Sequence, residues 1–346
     1  MKIALVTPPL AGHRERGSGV YFNNLDKEMS KIGDGTNVIV VKLGQDLSGF
    51  DMVHYPYFDP FFLTLPLIKT IKRIVTVHDL IPLKDPQNFP TGVRGSLKWL
   101  WQRSALKKTD RIITDSRVAA NDIKIITGIS SAKIKTIPLG VDGIYGSLKE
   151  GQIRQVKKRL ALPADFILYV GDINFNKNIS LLLKSFARLI YEFPKQYLVL
   201  VGKGFREPTS ALGQLKKLIM ELKIEKRIII PQTLSDSDLA GLFQLAAVYI
   251  QPSIDEGFGL PVLEAMASGC PVVTADRGSL PEVAGQAALY ADYRDPQDFT
   301  DKIKLILGDD KLRENFIKKG KARSKQFSWQ KTAKLTYQVY REVLTE

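Results

Sequence analysis

Along this chain short apolar runs alternate with longer stretches that are polar on one face, and the alternation runs through twice. In the first part KIALVT, NVIVVKL, DMVHYP, IKRIVTVHD, RIITDS and KIKTIPLG have the length and β-branched content of buried strands. Helix-like intervals separate most of them, as at Tyr21 to Lys31 and Leu97 to Lys108. The second part repeats the plan with FILYVGD, QYLVLVG, RIIIPQ, AAVYIQPS and CPVVTAD, and with helices around Ile179 to Glu192, Ala211 to Lys223, Ser235 to Ala246 and Pro261 to Ser268. Apolar strands separated by helices predict parallel sheets with crossover connections. The second series repeats the architecture of the first and not its sequence. Between them LGVDGIYGSLKEGQ is polar and glycine-rich, which places a hinge near 141 to 151. The expected organisation is an α/β chain with Rossmann-like domains at 1–145 and 146–327. A closing helix over 328–346 follows, with Ser328 as its N-cap signal.

With 346 residues the chain has room for two ordinary cores. Its 44% hydrophobic and 25% charged content is that of a soluble globular protein. No apolar run approaches the ~20 residues of a membrane span. The opening MKIALVTPPL is too short for a signal-peptide core and reads as a first buried strand, so a cytoplasmic protein is expected. The single Cys270 excludes an internal disulfide framework and reads as a small packed residue with no catalytic role.

The net charge is +14 and the pI about 9.6. Basic residues number 21 against 14 acidic ones up to position 150, and 29 against 22 beyond it, so each part carries +7. An even spread argues against a dedicated nucleic-acid arm, and no nucleic-acid partner is expected. One concentration stands out: Arg94, Lys98, Arg103, Lys107, Lys108 and Arg111, interleaved with Leu97, Trp99, Leu100 and Trp101, with Asp110 the only acid. Such a stretch suits peripheral contact with an anionic membrane, at its inner face for a cytoplasmic protein. The plainer reading is a helix that packs its Trp and Leu inward and solvates its cations.

The residues best placed for chemistry follow predicted strands. Glu256 and Glu264 bracket the segment EGFGLPVLE, with Glu256 in the Gly257-Phe258-Gly259 loop and Glu264, eight positions on, ~2.2 turns further along the chain. A glycine-rich loop feeding a helix leaves backbone amides unpaired and forms an anion site, and carboxylates beside it accept hydroxyls. One ligand touching both acids must be extended, with an anionic middle and polyhydroxyl ends, which is the shape of a nucleotide sugar. Lys177, followed by Asn178, projects from the loop GDINFNKN between a strand and a helix, where a cation can neutralise a diphosphate. Gly17, Ser18 and Gly19 follow the first strand, where their backbone can approach a diphosphate or simply make a turn. His78 closes the strand IVTV, with Asp79 placed to fix its tautomer or cap the turn. His54 at a similar strand edge is its rival, and His13 in the glycine loop is the remaining histidine.

The run from Glu256 through Thr274, Gly278-Ser279-Leu280-Pro281-Glu282 and Ala287-Ala288-Leu289-Tyr290 resembles the C-terminal signature of the retaining GT-B glycosyltransferases of family 4. The resemblance extends nearly end to end: RGSGVY is similar to the family's acceptor-domain loop and VHDLIPL to the context of its cleft histidine. It implies two Rossmann-like β/α/β domains facing a central cleft, acceptor side first and nucleotide-sugar side second, with a C-terminal helix crossing back to the N-terminal domain. It implies His78, Glu256 and Lys177 as catalytic residues. The nucleotide-sugar contacts it implies are Gly17, Ser18, Gly19, Asn178, Gly257, Phe258, Gly259, Leu260 and Glu264. The family usually has an arginine beside or a few residues before the lysine. This chain has Asp172 and Asn176 there, leaving Arg103, Arg277 or another basic residue to compensate.

The implied reaction moves a hexosyl unit, mannose first, from a nucleotide-diphosphate sugar to a glycan, lipid-linked or small-molecule acceptor. GDP-mannose is favoured over the UDP sugars. Glu264 would accept the ribose hydroxyls, Lys177 and the amides near Gly17, Gly259 and Leu280 would meet the diphosphate, and Glu256 and His78 would face the sugar. No DxD cluster stands in a matching place, so no metal or other cofactor is expected, and the resemblance implies retention by front-face attack. The alternatives are a nucleotide-sugar epimerase on the same fold and a basic membrane- or nucleic-acid-binding protein without catalysis. An NAD-dependent oxidoreductase is disfavoured, because RGSGVYFNN does not supply G-x-G-x-x-G with an acid about 20 residues on.

Overall fold

The computed structural model describes residues 1–8, 17–32, 35–232 and 234–346; His13 lies outside the described residues. The chain divides into two units, Met1–Gly140 with Phe327–Glu346, and Val141–Gln326.

The first unit is built on a parallel six-stranded sheet. Its strands are β1 (Lys2–Val6), β2 (Asn37–Val41), β3 (Met52–Tyr55), β4 (Lys72–Thr76), β5 (Arg111–Thr114) and β6 (Ile134–Thr136), in the order β2-β1-β3-β4-β5-β6. Its helices are α1 (Gly17–Met29), the single turn α2 (Ile81–Lys84), α3 (Gly92–Lys107) and α4 (Arg117–Thr127). The central strands are apolar because both faces are covered: Ile3, Ala4, Leu5, Ile74 and Val75 are fully buried. Gly17 and Gly19 form the first turn of α1 and not a loop ahead of it, so the predicted start at Tyr21 is one turn late.

The second unit contains β7 (Phe166–Val170), β8 (Tyr197–Val201), β9 (Ile228–Ile229), β10 (Val248–Gln251), β11 (Val272–Ala275) and β12 (Ala288–Ala291). All pairings are parallel, in the order β12-β11-β10-β7-β8-β9. The helices are α5 (Glu150–Arg159), α6 (Ile179–Leu189), α7 (Ser210–Glu221), α8 (Asp236–Leu245), α9 (Leu260–Ser268), α10 (Leu280–Ala284), α11 (Pro296–Gly308) and α12 (Asp310–Ser324). Counted within the unit, this is the doubly wound order in which the chain reverses direction between β7 and β10, and such a switch point opens a crevice at the strands' carboxyl ends. In the first unit the same reversal falls between β1 and β3.

The last helix, α13 (Trp329–Thr345), belongs to the first unit. Ser328 caps it by accepting from the Lys331 amide at 3.2 Å. Thr332 Oγ1 donates to the Pro138 carbonyl at 2.8 Å, and fully buried Tyr340 bonds His54. A Cβ on Gly140 would come within 2.1 Å of the Trp329 nitrogen, so glycine is what lets this helix dock. Among the described residues no helix is long and apolar enough to cross a membrane.

Candidate functional site

At the switch point of the second unit, the segment after β7 and the segment after β10 are latched together. The Asn176 side-chain amide donates to the Asp255 carbonyl at 3.1 Å, and the Ile254 amide donates to the Asn176 carbonyl at 2.8 Å. This brings Lys177, at the end of a 3₁₀ turn, onto Glu256: Nζ lies 2.7 and 2.8 Å from the two carboxylate oxygens. Glu256 is buried and further held by Gln251 Nε2 at 2.8 Å and Ser253 Oγ at 2.7 Å, both on Oε1. Tyr249 in turn donates to Gln251 Oε1. A buried carboxylate with this many donors is fixed in position as well as paired.

The loop that follows is shaped by close packing. Gly257, Phe258 and Gly259 are buried, and Ser279 Oγ sits 2.8 and 2.7 Å from the carbonyls of Glu256 and Phe258. Gly278, at φ +55, passes so near that a Cβ would meet the Glu256 nitrogen at 2.8 Å. Gly259 takes φ +103, a left-handed conformation that glycine adopts freely, and turns the chain into α9 at Leu260, one residue before the expected start. Pro261 fits this first turn, where its missing N–H has no intrahelical role.

Glu264 lies on α9, partly buried, and accepts a hydrogen bond from Tyr145. Burial pushes its carboxyl up to about 7, with the Tyr145 bond opposing and the charges of Asp142 and Asp236 reinforcing the shift. The segment carrying Tyr145 is pressed onto the same helix, since a Cβ on Gly146 (φ +83) would meet the Ala267 carbonyl oxygen at 2.3 Å. Asp236 also lines a cavity of about 200 Å³ at the carboxyl ends of β8 and β9, walled by Val201, Gly202, Pro231 and Leu239.

In the first unit His78 follows β4, and its partner is Asp115, not the adjacent Asp79: Nδ1 lies 2.7 Å from Asp115 Oδ2. Asp79 caps the turn by accepting from the Ile81 amide at 3.1 Å. Burial alone would lower the His78 pKa, but the Asp115 charge and hydrogen bond outweigh it, with Asp79 and the Pro56 carbonyl adding, and hold it above the ordinary 6.5. Nε2 is buried with no hydrogen-bond partner among the described residues. His54 is a structural residue: fully buried, it bonds Tyr340 Oη at 2.7 Å and Thr76 Oγ1 at 2.8 Å, and burial drives its pKa down to about 3.

Several expected contacts are engaged elsewhere. Asn178, in the left-handed region at φ 55, donates its side-chain amide to the carbonyls of Pro252 and Tyr293, bracing the loops. The Leu280 amide donates to the Arg277 carbonyl at 3.2 Å within its own turn. Asp172, in place of the arginine, accepts from the Gly204 amide at 3.2 Å. Arg103 donates to the Thr127 carbonyl, while Arg277 stacks 5.0 Å from the Tyr293 ring centre. Gln251, Ser253, Tyr145 and Asp115 were not singled out from sequence. Asp115 alone carries a signal there, as an acid near the carboxyl end of the apolar run RIITDS.

Residues 152–323 match the family described as Glycosyl transferases group 1, and residues 10–143 match Glycosyltransferase Family 4. O-antigen chain mannosyltransferase B of Escherichia coli is 31% identical over 274 residues, 78% of this chain and 70% of that one. The MMP alpha-(1->4)-mannosyltransferase of Mycolicibacterium hassiacum is 36% identical over 248 residues, 70% and 56% of the two chains. Serotype-specific mannosyltransferase WbdA of Escherichia coli is 27% identical over 276 residues, 79% of this chain but 34% of that protein, so this chain spans about a third of that relative. Sucrose-phosphate synthase from Thermosynechococcus elongatus has the same fold, with a TM-score of 0.78 at 19% identity over 99% of both chains. So has Anabaena Alr3699/HepE in complex with UDP-glucose, at 0.78 and 15% over 99% of this chain and 100% of that one. With both halves matched and a relative above 30% identity along most of its length, the chain belongs to the group 1, family 4 glycosyltransferases of GT-B fold.

Proposed function

We propose that the protein transfers a hexosyl unit, mannose in the first instance, from GDP-mannose to a glycan, lipid-linked or small-molecule acceptor, with retention of anomeric configuration and without a metal ion. The observation that carries this reading is the Lys177–Glu256 latch at the β7/β10 switch point, one helix turn-in from Glu264. The mannosyltransferase names of the relatives favour the sugar.

The base takes the cavity at β8 and β9, the ribose hydroxyls donate to Glu264, and the diphosphate meets Lys177 and the first amides of α9. An ammonium has three N–H donors; with two directed at the Glu256 oxygens, the third is available to a phosphate oxygen. As the bond from the anomeric carbon to the diphosphate lengthens, positive charge grows on the sugar ring and negative charge on the leaving oxygen. Lys177 stabilises the second and the fixed Glu256 carboxylate the first. The acceptor hydroxyl attacks from the face the diphosphate leaves, and its proton passes to the departing phosphate oxygen. Neutralisation by Lys177 and helix amides replaces a metal ion in this scheme. His78, with Nε2 unpartnered and its imidazolium favoured by Asp115, serves as a hydrogen-bond donor to a substrate hydroxyl or phosphate.

Calorimetric titration of the purified chain with GDP, UDP, ADP and dTDP, with and without EDTA, tests the reading. The expected result is EDTA-insensitive binding of GDP that Glu264→Ala abolishes, with Glu256→Ala keeping nucleotide affinity and losing transfer. Preference for UDP overturns the donor, EDTA sensitivity overturns metal independence, and binding of no nucleotide overturns the function.

A further inference from the structure

Helix α3 has two apolar faces, and only one is used inside the protein. Its inner face includes Gly95, Ala105, Leu106 and Gln102, whose Oε1 accepts from the amides of Thr64 and Leu65 at 3.1 and 2.9 Å. Its outer face carries Val93, Leu97, Leu100 and Trp101, spaced as i, i+4, i+7 and i+8, which places them in one stripe. The stripe is exposed, from 48% at Leu97 to 79% at Val93. The loop fastened by Gln102 extends it with Phe62 and Ile68, the latter 77% exposed, and Lys98 Nζ lies 5.3 Å over the Phe62 ring between the two segments. Eight of the fifteen exposed large hydrophobic side chains among the described residues fall within 62–68 and 93–101, a concentration that marks an interaction face.

The charge around the stripe selects the occupant. No acidic residue occurs from 92 to 109, while Arg94, Lys98, Lys107 and Lys108 flank the apolar side chains. Arg103 is bonded to Thr127, and Arg111 is buried in β5 against Glu346 and the Ala132 carbonyl, so neither belongs to the face. Trp99 packs partly into the core, and Trp101 is half exposed. Two copies meeting here would set cation against cation. A surface that is apolar beneath and anionic above complements both features, and among the described residues no helix is long and apolar enough to cross it.

We infer that the Phe62–Ile68 loop and the outer face of α3 seat the first unit on an anionic phospholipid membrane, with Leu100 and Trp101 at the acyl boundary and the four cations against lipid phosphates. This goes beyond the donor chemistry and does not depend on it. Co-sedimentation of the full chain with vesicles of phosphatidylcholine, alone or mixed with phosphatidylglycerol, tests it. The chain is expected to sediment with the mixed vesicles, less so as salt rises, and not with phosphatidylcholine alone. Leu100→Ser/Trp101→Ser is expected to reduce the association at least tenfold. Lys107→Glu/Lys108→Glu is expected to reduce it by about fivefold or more per cation removed. All four positions are exposed, and unchanged thermal unfolding confirms that the variants fold. The inference is overturned by a wild type that ignores the mixed vesicles, by association that either pair leaves intact, or by a stripe-dependent dimer in light scattering without vesicle binding.

Discussion

Affinity for a nucleotide sugar should rise with pH through neutrality, because the group assigned to the ribose is a carboxyl that burial holds at about 7. Only the ionised form accepts from both ribose hydroxyls. With a midpoint of about 7, roughly a tenth is ionised at pH 6 and roughly nine-tenths at pH 8, so Glu264 should lower the dissociation constant about tenfold, or about 1.4 kcal/mol, across that interval. A nucleotide sugar is the right probe, since its diphosphate is esterified at both ends and gains no proton in this range. In its proposed role as donor to the ligand, His78 supplies the opposite sign: its pKa is raised, and the proton is lost as pH rises. Tyr145→Phe removes a hydrogen bond that favours the carboxylate, so the midpoint should move upward, weakening binding at pH 7 and converging with wild type at higher pH. Glu264→Gln should bind weakly and lose the rise with pH, keeping only the decline that His78 contributes. The shift also bears on the unliganded fold, where the raised pKa costs stability as pH climbs from 4.5 to 7, by about 3 kcal/mol once complete. Calorimetry at pH 6, 7 and 8, in buffers of differing ionisation enthalpy to count released protons, is the assay. Wild-type affinity that gains nothing with pH relative to Glu264→Gln, or a rise with pH that survives in that variant, would refute the assignment.

Lys177→Ala leaves a buried carboxylate without its cation and should destabilise the second unit by about 2–3 kcal/mol, allowing for the partial exposure of Lys177. Lys177→Ala/Glu256→Gln should recover most of the melting temperature and none of the transfer, and identical melting of single and double variants would contradict the pairing. Asp115→Asn should lower the His78 pKa in an NMR titration while Asp79→Asn moves it less; in the same spectra His54 should stay neutral until the protein unfolds in acid. Gly140→Ala, whose Cβ would strike the Trp329 backbone, should lower thermal stability by about 1–3 kcal/mol, whereas Gly143→Ala, with nothing within 4 Å, should be nearly neutral.

What the sequence discloses is what a residue's own neighbours decide. Strands β1, β7, β8 and β10 are buried on both faces, so each is a continuous apolar run that reads as a strand without knowledge of its partner. β12 has two half-buried residues in its middle, so the Ala287–Tyr290 run does not stand out as a strand. Glu256 and Glu264 are legible as candidates because they stand in and beside a loop-to-helix junction whose glycines and Pro261 are themselves local signals, and Lys177 because it stands between an apolar strand and a helix. Their partners are not, because the bonds that matter join distant segments: Lys177 to Glu256 spans 79 positions and His78 to Asp115 spans 37. With only neighbours to choose from, Asp79 was the natural partner for His78. It caps the turn instead, because a carboxylate two residues before the first residue of a short helix can reach that residue's amide.

The same limit explains the two tryptophans of α3. Periodicity assigns Trp99 and Trp101 to different faces, since residues two apart on a helix point away from each other, but it cannot say which face meets the sheet. That choice is made by Gln102, whose side chain binds both the amides and a carbonyl of the Thr64–Leu65 segment. A buried glutamine with these bonds made cannot be turned to water and replaced by Trp101 without orphaning the backbone groups it holds, at a cost of about 1–3 kcal/mol each. A polar residue therefore decides which apolar stripe is core, and the stripe left outside is the one whose flanks carry cations and no acid.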